Sequence, residues 1–199
     1  MKVKNLILYQ VSTDRNYQVG DVVIFDKDKP NGQYNKVFNT DFRFKEIRPC
    51  DKMYSSAKFK KFKSNEEIYS IARILERYDF SLREIALEEV RSDKFPHLPS
   101  RLHCMFLSPN KDIALKNIET MAKNKDKQGK LLQVVAVKLD GYIFKAGKIV
   151  VDREAKSYNY YKEQAYAYWG QEVFNDEDIK EILFEGRAEI VDILKVVNT

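Results

Sequence analysis

Cysteine is nearly missing from this chain, and its scarcity removes several architectures at once. Cys50 and Cys104 are the only two; they could close one bridge at most and show no CxxC spacing, so neither a disulfide scaffold nor a zinc site is expected. No apolar run approaches the roughly 18 residues needed to span a bilayer, so no membrane partner is expected. The opening Met1–Tyr9 lacks the long apolar region and small-residue cleavage site of a secretory leader, which makes the cytoplasm the expected location. Catalytic signatures are missing as well. Without GxGxxG, a Walker loop, GxSxG or HExxH, the dinucleotide-fold dehydrogenases, P-loop NTPases, α/β-hydrolases and zincins all lack their working parts. His103 and Cys104 adjoin on a predicted strand, where neighbours point to opposite faces, so they do not make a thiol dyad.

What is present fits one domain over residues 1–199. Apolar residues make up 44% of the chain and aromatics 13%, ample for a sizeable core. The formal charge of +5 is unevenly placed. Residues 41–63 are strongly basic and residues 171–199 strongly acidic. Within the basic stretch, Lys58-Phe59-Lys60-Lys61-Phe62-Lys63 interleaves cations with aromatic faces. Those are the ingredients of backbone attraction plus base stacking on a nucleic acid, and equally of a solvated loop or a basic lead-in whose two Phe enter the core.

Hydrophobic patterning predicts strands over Asn5–Val11 and Gln18–Phe25, then a long loop over 26–55. Two capping boxes, Ser64 with Glu67 and Ser81 with Glu84, predict two helices. The first would bury Ile68, Ile71, Ala72 and Leu75, and the second Leu82, Ile85, Ala86 and Val90. Phe95-Pro96 should end the second, because proline lacks the N–H and restricts the residue before it. A strand over Arg101–Leu107 is expected next, followed by a helix capped at Ser108 with Pro109 in its first turn. Leu131–Leu139 is the strongest strand signal; Asp140-Gly141 predicts a hairpin there, and Glu185-Gly186 a second one between Ile179–Phe184 and Ala188–Leu194. Residues 153–169 read as a helix crowded with tyrosines. This order predicts an α+β fold rather than a regular βαβ repeat.

Four segments then gain meaning from their order: Ile7-Leu8-Tyr9-Gln10-Val11-Ser12; Pro99-Ser100-Arg101 with Phe106-Leu107-Ser108 and a helix; Ala165-Tyr166-Ala167-Tyr168-Trp169-Gly170; and Lys180-Glu181-Ile182-Leu183-Phe184 before a closing strand. Together they resemble the ADP-ribosyltransferase superfamily, more narrowly a bacterial branch of it, across nearly the whole chain. The resemblance implies a split antiparallel β-sheet core with flanking helices, NAD as substrate without a metal, and a protein or nucleic-acid acceptor of ADP-ribose. It implies Glu181 as the catalytic carboxylate. Around the NAD it implies Tyr9, Gln10, Ser12, Arg101, Phe106, Ser108, Tyr166 and Trp169. Gln10 departs from the superfamily, whose first strand carries Arg or His; an amide still bonds ribose hydroxyls but lacks the charge of Arg. Arg101 suits a pyrophosphate, or a structural ion pair; Phe106, Tyr166 and Trp169 suit a nicotinamide pocket, or the core; Ser12 and Ser108 suit turns and caps equally. A second function class stays open: the same fold without transfer activity, binding a nucleotide or nucleic acid through residues 41–63.

Overall fold

The computed structural model describes residues 1–13, 15–39, 65–123, 129–147, 156–170 and 181–199, with the side chains of 65–71 left aside. The described elements are strand β1 (Lys2–Ser12), strand β2 (Val22–Phe25), helix α1 (Gly32–Phe38), helix α2 (Asn65–Lys94), strand β3 (Met105–Leu107), helix α3 (Lys111–Ala122), strand β4 (Leu131–Ala146), helix α4 (Tyr158–Gly170) and strand β5 (Glu181–Asn198). Helices combine with a five-stranded antiparallel sheet, an α+β arrangement.

The sheet runs β1-β4-β5-β2, with β3 also paired to β5. β2 and β3 take different stretches of β5: Val22 to Phe25 pair with residues 186–189, and Met105 to Leu107 with residues 182–184. Just past β3, the Ser108 N–H donates to the Tyr9 carbonyl at 2.7 Å. β3 therefore ties β5 back to β1, and the sheet curls around an apolar interior of Leu8, Met105, Leu107, Val137, Ile143, Phe184 and their neighbours.

Both expected hairpins are corrected. β4 passes straight through Asp140-Gly141 and β5 through Glu185-Gly186, so the two form one long antiparallel pair. Gly141 and Gly186 face each other across that pair. A Cβ on Gly141 would stand 2.2 Å from the Glu185 carbonyl oxygen, and one on Gly186 would stand 2.4 Å from that of Asp140. The glycines serve a close crossing of backbones rather than a turn. Gly186, at φ +139°, also occupies a backbone region that side-chain-bearing residues avoid.

The two expected helices are one; of the inward residues expected, Ala86 and Val90 are buried while others turn out, and the side chains of Ile68 and Ile71 lie outside those described. α2 runs unbroken through Ser81 and ends at Lys94, before Pro96 as expected. Leu75 is 54% exposed, Leu82 36% and Ile85 37%, while Ala86, Leu87 and Val90 are buried together with Glu84 and Arg91. Ala72 is exposed too. α1 occupies part of the expected loop: Asn31 caps it, its side-chain oxygen accepting from the Gln33 and Tyr34 N–H groups. The strand expected from Arg101 begins only at Met105, after turns. Asn110, not Ser108, caps α3. No helix among the described residues is long and apolar enough to cross a membrane.

Candidate functional site

Helix packing delivers the central charges. α4 buries Tyr161, Ala165, Tyr168 and Trp169, a one-sided helical spacing, against the inward face of α2. The Trp169 indole N–H donates to the Leu87 carbonyl at 2.8 Å, which fixes the two helices' depth. Their outer seam is polar. Tyr158 and Lys162 meet Glu89, and Tyr161 donates to Asp79.

Arg101 sits at the centre of the resulting junction and is buried. Its Nε donates to Glu84 of α2 at 2.9 Å, and Nη1 donates to the Tyr168 hydroxyl of α4 at 2.9 Å and to Glu181 at the start of β5. The Tyr168 O–H donates to the same Glu181 oxygen, Oε1, at 2.6 Å. Glu84's side chain is wholly buried, whereas that of Glu181 keeps 24% of its surface. Ser100 extends the junction. Its N–H donates to Glu185 and its hydroxyl to Glu88, both at 2.8 Å, and Glu88 is gripped by Arg91.

Burial disfavours the positive charge of Arg101, but the fields of Tyr168, Glu84 and Glu181 outweigh that and hold its pKa well above the usual guanidinium value. Burial likewise drives the Tyr168 phenol well above its ordinary range, with Arg101 opposing and Glu181 adding to the rise. Tyr168 is therefore kept as a protonated donor, and one oxygen of Glu181 is held by two fixed donors.

Beside the junction lies a cleft of about 360 Å³, at the low end of the range of roughly 300–1,000 Å³ typical of ligand pockets. β1 contributes Gln10 and Ser12 to it, the following turn Arg15 and Tyr17, α1 and its cap Asn31 and Lys36, and β3 Phe106. Phe106 connects cleft and junction, since the Arg101 guanidinium lies over its ring at 5.2 Å from the centroid. Gln10 Oε1 is buried and accepts no hydrogen bond among the described residues. Two residues brace the walls. Gln133 accepts from the Tyr17 N–H at 2.7 Å, and the Asn31 amide donates to the carbonyls of Arg101 and Cys104.

The expected site residues thus divide into groups. Arg101 and Glu181 meet directly; Gln10, Ser12 and Phe106 line the adjoining cleft. Ser12 also forms a turn, its hydroxyl donating to the Arg15 carbonyl at 2.8 Å. Tyr9 and Ser108 join strands through their backbones, Trp169 is in the core, and Tyr166 faces outward at 44% exposure. Cys104 lines the cleft, yet burial pushes its thiol well up, which keeps it protonated and unreactive. The basic segment 41–63 lies outside the described residues. Glu84, Ser100 and Tyr168 were not among the expected site residues, although Ser100 and Tyr168 stand inside segments that carry the resemblance. Glu84 carried a capping-box signal that α2 does not use, and Tyr168 was one of many tyrosines. Among the described residues no cluster of His, Cys, Asp and Glu is arranged to hold a metal ion.

A family model described as "Protein of unknown function (DUF2441)" matches residues 8–196, from β1 to the last turn of sheet in β5. This chain belongs to the DUF2441 family. No curated protein matches it. The matched span of the DUF2441 family contains every residue of the junction and the cleft named above.

The buried acids of this DUF2441 chain also set its alkaline limit. Tyr17, Cys104 and Tyr168 all have pKa values raised by burial in the folded state. Folded protein holds these protons more tightly than unfolded chain, so their contribution is intact below the ordinary Cys and Tyr values and is lost as pH climbs past them. The urea midpoint should stay level from neutrality to about pH 9 and then fall steeply, with the last fraction of tyrosine ionisation at 295 nm appearing only on unfolding. A midpoint unchanged through pH 11 would contradict the burial of these groups.

Proposed function

We propose that this chain is an NAD-dependent ADP-ribosyltransferase-like enzyme, built on the split antiparallel sheet of that superfamily and working in the cytoplasm. It cleaves the nicotinamide–ribose bond and passes ADP-ribose to a protein or nucleic-acid acceptor. One observation carries this reading: Glu181 is fastened to Arg101, Arg101 lies on Phe106, and Phe106 shares a cleft with Gln10 and Ser12 of the first strand. Three segments far apart in sequence meet there, in the order the resemblance requires.

The chemistry suits a carboxylate of this kind. Nicotinamide leaves NAD with the electron pair of the C1′–N bond, which neutralises its ring, so no general acid is needed. Positive, oxocarbenium-like character develops at C1′, and a fixed carboxylate stabilises it. Arg101 and Tyr168 both donate to Oε1 of Glu181, so Oε2 is the oxygen that meets the ribose 2′-hydroxyl. Gln10, whose Oε1 is buried without a donor among the described residues, accepts from a ribose hydroxyl where relatives in the superfamily use Arg or His. The acceptor's nucleophile then bonds C1′ and loses its proton to solvent.

The test is chromatographic. Folded protein incubated with NAD and a lysate of its native host should release free nicotinamide in proportion to enzyme, and label a macromolecule from adenylate-labelled NAD. Absence of both release and labelling would contradict the proposal.

A further inference from the structure

Among the described residues, the charge of Arg101 and the charges of Arg15 and Lys36 are placed in contrasting ways. The Arg101 guanidinium is spent internally. Its Nε and Nη2 face Glu84, and its Nη1 faces Glu181 and Tyr168. Two carboxylates more than offset its single charge, so it offers a phosphate neither a positive field nor a spare fork.

The cleft is the opposite case. Among the described residues its lining carries two charged residues, Arg15 and Lys36, and no Asp or Glu. Arg15 lies over the Phe25 ring at 5.6 Å and beside the Tyr17 phenol, both neutral partners. Among the described residues neither Arg15 nor Lys36 pairs with a carboxylate. Concave walls with charge of one sign focus the field into the space between them. In the same walls the buried Gln10 Oε1 wants a hydrogen-bond donor. A ligand that completes the cleft is thus anionic and carries a hydroxyl next to its charge, which describes a sugar phosphate.

We infer that Arg15 and Lys36 hold the diphosphate of the dinucleotide, with Gln10 on the adjoining ribose, and that Arg101 does not touch the phosphates. This rests on the NAD reading above and names the subsite that reading leaves unassigned. Placed so, the ligand enters with its phosphates over Arg15 and Lys36 and sends its nicotinamide ribose past Phe106 toward Glu181.

Calorimetric titration with ADP-ribose, and separately with inorganic pyrophosphate, tests the subsite without requiring catalysis. Wild-type protein should bind both, more weakly as salt rises, because the contact is electrostatic. Arg15→Gln combined with Lys36→Gln should weaken ADP-ribose at least tenfold and abolish the salt dependence, while nicotinamide riboside, which has no phosphate, binds as before. Arg15 stacks on Phe25, so the exposed Lys36→Glu variant alone supplies a check that leaves the fold undisturbed; it should weaken ADP-ribose by a similar factor. Equal ADP-ribose affinity in wild type and variants would overturn the inference, as would failure of wild type to bind either probe. The two proposals separate cleanly. Phosphate-dependent binding without nicotinamide release supports the subsite and sinks the enzyme; release with an unchanged KM in the double variant sinks the subsite and leaves the enzyme standing.

Discussion

Glu181→Gln is expected to slow nicotinamide release from NAD by about 10²–10³-fold, the range found when a preorganised electrostatic stabiliser is removed. The substitution keeps the side chain's shape and a carbonyl oxygen able to accept from Arg101 and Tyr168, both of which now meet Oε1. What it removes is the negative charge. Charge matters at C1′ only in the transition state, so the loss should fall on kcat and leave KM for NAD nearly unchanged. Arg101 keeps Glu84 as a counter-ion in the variant, so urea unfolding should show at most a modest loss of stability. Undiminished release in a folded Glu181→Gln variant would remove this carboxylate from the mechanism. Tyr168→Phe gives a graded companion: the Arg101 contact with Glu181 persists while one donor to Oε1 is lost, so a smaller drop in kcat is expected.

Arg101→Met is expected to cost about 3–5 kcal/mol, the usual loss when one partner of a buried ion pair is removed. Glu84 would be left wholly buried, with only an Arg83 contact at 3.4 Å to offset its charge. Packing on Phe106 and Tyr168 would go as well. For a chain of this length the apparent melting temperature should fall by roughly 10 °C. Pairing that change with Glu84→Leu should restore much of the loss, because both buried charges then vanish together. Urea unfolding of the two single variants and the double variant measures the coupling directly. Strictly additive losses would mean that the two side chains do not depend on one another.

These expectations come from residues that sequence reading handled unevenly. The apolar runs of β1, β2 and β4 and the stop before Pro96 were legible, because each depends on local periodicity or on proline geometry. The inward face of α2 was legible only at Ala86 and Val90. Counting apolar residues favours Leu75, Leu82 and Ile85, yet Glu84 and Arg91 turn inward, since Arg101 and Glu88 neutralise them there. Such an inversion shows only when the partner is known. Asp140-Gly141 and Glu185-Gly186 failed for a similar reason. A glycine beside an acid suits a tight turn and a close strand crossing alike, and what decides here is the opposing glycine on the other strand. Asn31 in a Pro-Asn-Gly run reads as loop, while in the fold its side chain caps α1 and holds the turn that carries Arg101. That Arg101 and Glu181, 80 residues apart, share one site was expected only through the resemblance, and their direct ion pair was not expected at all.

A crystal soaked with NAD or a non-cleavable analogue tests the central arrangement most directly, because it locates the ribose carbon against the carboxylate. The account predicts the phosphates between Arg15 and Lys36 and C1′ of the nicotinamide ribose within about 3.5 Å of a Glu181 oxygen, the spacing of a reactive approach. Ligand bound with its ribose on the far side of Phe106, out of reach of Glu181, would contradict it.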